Sequence, residues 1–181
     1  MSSLLVHNPP GGPSASALLA ALRTAGVTHA VTVPDFVQFA LHMRLAEPDS
    51  GIQHVYAAAE DQALTMATGL HIGGAVPVVL VQNQGLYKGL NTLRATGLDA
   101  GAPLVILAGQ FGREAENVGR PMTESRRSMV RLMQPLLDAI GVRHWTVEDD
   151  ADAGRVAEAF AHARSAETAA VVLVARHVTW Q

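Results

Sequence analysis

Apolar runs alternate with amphipathic stretches along most of this chain. Six short runs rich in Val, Leu, Ile and Ala are bounded by Gly, Pro or polar residues and predict strands at residues 29–33, 53–57, 77–81, 104–108, 143–147 and 170–175. Between these runs, apolar residues recur at helical spacing, as Phe36, Phe39, Ala40 and Met43 do before Pro48. Strands that alternate with helices predict an α/β fold with a three-layer, doubly wound, mostly parallel six-stranded sheet.

Capping and breaking residues set the expected limits of the helices. Ser14 or Ser16 caps a first helix, and Pro135 is expected to kink or split a helix that begins near Ser125. Residues 1–13 contain three prolines and two glycines, so they predict a flexible N-terminal arm, followed by a single domain at residues 14–181.

Composition narrows the function classes. The 181 residues are 49% hydrophobic but only 4% aromatic, which suits a closely packed sheet covered by helices. The net charge of −3, with no basic cluster longer than Arg126-Arg127, argues against a nucleic-acid partner. The absence of cysteine excludes disulfides, thiolate catalysis and cysteine-based metal sites. No apolar run approaches the roughly 18 residues that span a bilayer and no export leader is seen, so we expect a cytoplasmic protein without a membrane partner.

Polar residues follow four of the predicted strands. They are Asp35, Glu60 and the segments 82–84 and 110–114. Ligands of open α/β sheets bind at the carboxyl ends of the strands, so these groups predict a site. Glu60 follows three alanines that offer neither charge nor hydrogen bonds, which makes it a candidate for proton transfer; equally, it is an acid placed in the first turn of a helix by the helix dipole. Asp35 is either a proton-handling group or a helix N-cap.

Several other chemistries lack support in the sequence. Neither G-x-G-x-x-G after the first strand nor G-x-x-x-x-G-K-[ST] occurs, which argues against dinucleotide and P-loop sites. The eight histidines are scattered without ligand spacing, so no metal site made by this chain alone is expected.

Four motifs, in order, carry a resemblance to a known family. They are Val33-Pro34-Asp35, Ala58-Ala59-Glu60-Asp61-Gln62-Ala63, Gly69 followed by Pro77-Val78-Val79, and Gln82-Asn83-Gln84-Gly85-Leu86 with Asn91-Thr92-Leu93 behind it. Across residues 14–175 the sequence resembles the pyrimidine-binding (PYR) domain of thiamine-diphosphate enzymes, most closely that of phosphonopyruvate and sulfopyruvate decarboxylases.

The resemblance implies a cofactor and a reaction. In that family the glutamate matching Glu60 hydrogen-bonds N1′ of the aminopyrimidine ring and favours the tautomer that takes the proton from thiazolium C2. Gln82, Asn83, Gln84 and Gly85 would bind the cofactor, and Asp35 and Gln84 would face the substrate. The implied reaction is non-oxidative decarboxylation of a 2-oxo acid with an anionic tail, giving an aldehyde and carbon dioxide, with thiamine diphosphate and Mg²⁺ as cofactors.

This sequence also departs from the family. Phe36 stands where related sequences commonly have serine, and the loop continues through Tyr87 and Lys88 where they have Gly-Asn. Lys88 is a candidate for the anionic tail or simply a solvated helix residue. Arg113 is the better candidate for a phosphonate or sulfonate, because its planar fork matches such oxyanions.

A second subunit is also implied. The family holds Mg²⁺ and the diphosphate through a G-D-G motif and a downstream asparagine pair, neither of which occurs in these 181 residues. The resemblance therefore implies a separate diphosphate-binding (PP-domain) subunit in an α2β2 or larger assembly, with the site between the two chains. Two alternatives stay open: a subunit of a split carboligase, and a non-catalytic regulatory module of the same fold.

Overall fold

The computed structural model describes residues 11–181. Its six strands are β1 (His29–Thr32), β2 (Gln53–Tyr56), β3 (Pro77–Gln82), β4 (Val105–Gly109), β5 (Arg143–Val147) and β6 (Ala170–Val174). Its seven α-helices are α1 (Ala15–Thr24), α2 (Phe39–Leu45), α3 (Glu60–Ile72), α4 (Asn83–Thr92), α5 (Ser128–Arg131), α6 (Met133–Ala139) and α7 (Gly154–Ala166). A π-helix, Leu93–Asp99, continues α4, and short 3-10 turns occur in the longer connections.

All six strands run parallel, in the order β2-β1-β3-β4-β6-β5. Buried residues of α1, α2 and α7 cover one face of the sheet, and those of α3, α4 and α6 cover the other. The predicted three-layer, doubly wound α/β fold is therefore confirmed. From β1 the chain passes to β2 on one side, whereas β3 lies on the other, so the topological switch point lies between β1 and β3.

Strands covered on both faces need apolar side chains on both faces. Accordingly, every residue of β4 and β6 is buried. Small residues allow the helices to approach closely: Ala63 and Ala67 of α3 are fully buried, and a Cβ at Gly97 would overlap the Cβ of Ala169. These contacts fix the positions of the helices that begin at the carboxyl edge of the sheet.

Sequence and structure differ in detail around the connections. The helix expected from Ser125 begins at Ser128 and is split at Leu132, because Pro135 has no N–H to donate to the carbonyl of Arg131. Ser14 caps α1, accepting from the N–H of Ala17, as one of the two expected caps.

The N-terminal arm predicted for residues 1–13 falls mostly outside the described residues. Of residues 11–13, Pro13 accepts a hydrogen bond from the N–H of Thr179 at 2.9 Å. Within residues 11–181, none of the helices has the length and apolar character needed to cross a bilayer.

Candidate functional site

Polar side chains gather at the carboxyl edge of the sheet. Asp35 follows β1, Glu60 begins α3 after β2, Asn83 begins α4 after β3, and Gln110 follows β4. Because the strands are parallel, the sheet brings these residues to one edge, beside the switch point between β1 and β3. The convergence expected from the sequence is present in the fold.

Glu60 lies where α3 and α4 approach each other. A Cβ at Gly85 of α4 would overlap the Cγ and the carboxyl group of Glu60, so only glycine leaves room for this side chain. The Nζ of Lys88 lies 3.7 Å from Oε2 of Glu60 and 3.4 Å from Oδ1 of Asp61. Glu60 is partly exposed at the edge, where a ligand can reach it.

The segment after β3 contains one buried, hydrogen-bonded side chain, Asn83, and one exposed side chain, Gln84. Asn83 is buried, and its Nδ2 donates to the carbonyls of Phe111 at 3.0 Å and Met129 at 3.3 Å. Its Oδ1 accepts from the N–H of Gln84 at 2.9 Å. Asn83 therefore holds the loop in place, whereas the side chain of Gln84 is exposed beside it.

Asp35 is a buried carboxylate fixed on both oxygens. Oδ1 accepts from the N–H of Val37 at 2.8 Å, and Oδ2 accepts from Nε2 of Gln38 at 2.7 Å. Nε2 of Gln82 reaches Oδ1 at 3.4 Å, which links the ends of β1 and β3. A Cβ at Gly109 would overlap Oδ2. Asp35 is not the N-cap of α2, because Gln38 occupies that position.

Burial raises the pKa of Asp35 to about 6, against hydrogen bonds that favour the ionised form. The carboxyl is thus set to exchange a proton close to neutral pH. A buried carboxyl with a shifted pKa at a sheet edge is characteristic of functional sites.

Two residues that support Asp35, Gln38 and His42, were not identified from the sequence, and neither was His54, which packs against His42. Nε2 of Gln38 also approaches the carbonyls of Val81 at 3.2 Å and Leu107 at 3.1 Å, which ties Asp35 to the sheet. Nε2 of His42 accepts from the N–H of Asp35 at 3.3 Å, and the ring of His42 stacks with His54. Gln38 and His42 lie three and seven residues after Asp35, a helical spacing that would have placed all three on one face.

Both histidines are held in the neutral form. Burial, and secondarily the charge of His54, lowers the pKa of His42 to about 4, and burial lowers the pKa of His54. Nε2 of His54 lies 2.8 Å from the hydroxyl of Thr32. Asp35 therefore has amide and neutral imidazole groups around it and no cation among these contacts.

The guanidinium of Arg113 is buried and bonded to other residues of this chain. Its side chain is only 2% exposed, and Nη1 donates to Oε1 of Glu148 at 2.6 Å. Nε donates to Oδ1 of Asn117, and Nη2 donates to the carbonyls of Asn117 and Arg120. Binding of an anionic substrate by Arg113 would require these bonds to break, so the structure does not leave this residue free for the role expected from the sequence.

The raised pKa of Asp35 predicts a dependence of stability on pH. The folded chain binds this proton more tightly than the unfolded chain, whose ordinary value is 3.8, so the free energy of unfolding should fall as pH rises from about 4 to about 6. The loss should be about 3 kcal/mol, since each pH unit is worth about 1.4 kcal/mol. Urea unfolding of the wild type and of Asp35→Asn at pH 4 to 7 isolates this contribution. A stability difference between the two proteins that stays constant over this range would contradict it.

Most of this chain matches a known protein family. The profile of a family described as thiamine pyrophosphate enzyme, N-terminal TPP binding domain, matches residues 14–129. The chain belongs to this family. The resemblance to thiamine-diphosphate enzymes seen in the sequence is confirmed.

Three individual proteins are similar to this chain. The chain is 27% identical over 123 residues to the sulfopyruvate decarboxylase subunit alpha of Methanothermobacter thermautotrophicus, covering 67% of this chain and 74% of that protein. Among solved structures, a 2-oxoglutarate:ferredoxin oxidoreductase from Magnetococcus marinus matches 90% of the chain with a TM-score of 0.65 and 14% identity. A thiamine-diphosphate-dependent 4-hydroxybenzoylformate decarboxylase from Rhodococcus jostii matches 89% with a TM-score of 0.64 and 22% identity. The chain spans 29% of each of these two solved chains, and they show its fold.

The residues at the sheet edge fit the pyrimidine half of the family's cofactor. Glu60 offers a partly exposed carboxyl that can hydrogen-bond a ring nitrogen, and Gly85, which has no side chain, leaves room for that carboxyl. In the part of the chain that the structure describes, no three His, Cys, Asp or Glu side chains converge as a metal site. The edge thus provides a carboxyl group that can hydrogen-bond an aromatic nitrogen heterocycle.

Proposed function

We propose that this chain is the pyrimidine-binding subunit of a split thiamine-diphosphate-dependent decarboxylase of a 2-oxo acid. The observation that carries the proposal is the placement of Glu60, which stands at the start of α3, against Gly85 of α4, at the edge where Asp35 is also fixed. Membership of the thiamine pyrophosphate enzymes supports it.

The two carboxyl groups take different roles in this proposal. Glu60 would hold the pyrimidine ring by sharing a proton with its N1′ atom. The alanines that precede Glu60 offer no competing group, and the Nζ of Lys88 lies 3.7 Å from its Oε2. Asp35, beside the switch point, would hold or release a proton on Oδ1 or Oδ2 toward the reacting carbon of the substrate. Bound thiamine diphosphate supplies the electron sink that decarboxylation of a 2-oxo acid requires.

A separate subunit would hold the diphosphate and Mg²⁺. The relative from Methanothermobacter thermautotrophicus is itself described as subunit alpha of a decarboxylase, and this chain covers most of it. The cofactor would then lie between the two chains, in an α2β2 or larger assembly.

Lys88 and Arg113, the two residues expected to bind an anionic tail of the substrate, both contact carboxylates of this chain. An anionic tail would compete with Glu60 and Asp61 for Lys88, and with Glu148 for Arg113. Both cations are thus already paired with carboxylates, and the proposed substrate is a 2-oxo acid whose tail these two residues do not specify. A carboligase with the same cofactor would use the same residues and differ in its product, a new carbon–carbon bond instead of an aldehyde.

Calorimetric titration with thiamine diphosphate and Mg²⁺ tests the shared site. We expect at least about 10-fold tighter binding to the complex of this chain with its co-expressed partner subunit than to the chain alone, because in this proposal the partner supplies the groups that bind the diphosphate and Mg²⁺. The complex should also release carbon dioxide from 2-oxo acids, and the isolated chain should not. Full activity of the isolated chain would contradict the split-enzyme proposal, and absence of binding to either would favour a regulatory module.

A further inference from the structure

A cleft beside Asp35 has an apolar wall, and the roles proposed for Glu60 and Asp35 do not require such a wall. Its volume is about 370 Å³, and its apolar lining includes Phe36, Phe39, Met43 and Tyr56, with Asp35 and His42 also on its surface. The four apolar side chains are between 46% and 62% exposed, although residues this large and apolar are usually buried. The volume lies within the range of small-ligand sites.

The wall of this cleft is held in place. The ring of Phe36 makes an edge contact with His177, and the ring of Phe39 makes one with Trp180, each with centroids 5.6 Å apart. The ring of Tyr56 lies on His54 at 4.3 Å. Side chains supported in this way present a preformed surface, which lowers the entropic cost of binding an apolar group.

The charges around the cleft disfavour an anionic occupant. Neither a lysine nor an arginine is among the described residues that line it. His42, whose pKa is lowered to about 4, carries no charge at neutral pH, and Asp35 is mostly ionised there and repels anions. A phosphonate or sulfonate would lose its hydration in this cleft without gaining a counter-ion.

We infer that the cleft receives an apolar, preferably aromatic, tail of the substrate, so that this chain serves a 2-oxo acid of the phenylpyruvate type and not one with a phosphonate or sulfonate tail. The inference rests on the proposed function, and it deepens that function by naming the substrate class. Asp35 joins the two parts of the site, because it lines the cleft and is also bonded by Gln82 at the end of β3.

The test uses the complex with the partner subunit, loaded with thiamine diphosphate and Mg²⁺. Release of carbon dioxide from phenylpyruvate, pyruvate and phosphonopyruvate is compared. We expect kcat/KM for phenylpyruvate to exceed that for phosphonopyruvate at least about 10-fold, as burial of an aromatic ring allows. Phe39→Ser and, separately, Phe36→Ser should lower kcat/KM for phenylpyruvate at least about 10-fold more than for pyruvate. Ile72→Ser, at the far end of α3 and 80% exposed, is the matched control and should change neither value.

Two results would overturn the inference. One is a preference for phosphonopyruvate. The other is an equal loss for all substrates in Phe39→Ser together with loss of the partner on gel filtration, which would make the cleft a contact between subunits.

A binding measurement separates this inference from the proposed function. Phenylpyruvate is titrated into the complex while the ¹³C-methyl resonance of Met43 is followed. A saturable shift that Phe39→Ser weakens at least about 5-fold supports the apolar cleft even if no 2-oxo acid is decarboxylated, in which case only the proposed function fails. No shift with phenylpyruvate, or an equal one with phosphonopyruvate, overturns the inference whether or not the complex is active.

Discussion

Replacing Glu60 by glutamine is expected to lower kcat of the reconstituted complex by about 10²- to 10⁴-fold. Glutamine has nearly the same shape, and it can still hydrogen-bond a ring nitrogen, but it cannot hold the proton that the proposed role requires. Because α3 and the packing against Gly85 are unaffected by an isosteric change, the fold should be unchanged. The measurement is the initial rate of carbon dioxide release at saturating cofactor and 2-oxo acid.

The neighbouring acid provides the control. Asp61 is also in the first turn of α3 and also lies near Lys88, but it is half-exposed, and the three atoms nearest to a Cβ at Gly85 all belong to Glu60. Asp61→Asn should therefore keep the rate within about 2-fold of the wild type, since exposed ion pairs contribute little. A Glu60→Gln complex that kept the wild-type rate would remove the basis of the decarboxylase proposal and favour a regulatory module.

Replacing Gly85 by alanine should have an effect of comparable size without changing either carboxylate. The three atoms nearest to the added Cβ all belong to the side chain of Glu60, so the carboxyl has to move. The free energy of unfolding should hardly fall, because alanine is the better helix former within α4 and the displaced group is a side chain. We expect the rate of the complex to fall at least about 10²-fold, since displacement of a catalytic group by about 1 Å has effects of this size.

A double variant identifies the cause of that loss. If Gly85→Ala acts only by displacing the carboxyl, the combination with Glu60→Gln should be hardly slower than Glu60→Gln alone. Gly69→Ala is the matched control. Gly69 lies in α3, the same helix as Glu60, and a Cβ added at Gly69 would meet nothing within 4 Å. Additive effects of Gly85→Ala and Glu60→Gln would show that the glycine has a different role.

The sequence predicted the strands and most of the helices better than the contacts that hold the site residues in place. Strands such as β3 and β4 were predicted because a parallel strand buried on both faces is a continuous apolar run between turn residues. The break before Pro135 was predicted because a proline has no N–H for the helical hydrogen bond to the carbonyl four residues earlier. The π-helix Leu93–Asp99 was not, since the apolar spacing of a widened turn does not distinguish it from an α-helix.

Within the site, the position of the two acids was predictable and their surroundings were not. Asp35 and Glu60 follow strands, and parallel strands end at one edge. The ion pair of Arg113 with Glu148 joins residues 35 positions apart, and no local pattern marks it. The rings of His42 in α2 and His54 in β2 stack only in the folded chain, so each had the features of an ordinary scattered histidine in the sequence.

The two helices that carry the proposed tail cleft and the proposed cofactor contact belong to opposite layers of the sheet. Leu41 of α2 packs in one half of the core, and Leu64 of α3 packs in the other, with the sheet between them. Substitutions on the outer side of α2 can therefore accumulate without repacking the layer that positions Glu60. A domain divided in this way can diversify its substrates over evolutionary time, or under directed evolution, while its coenzyme chemistry is inherited unchanged.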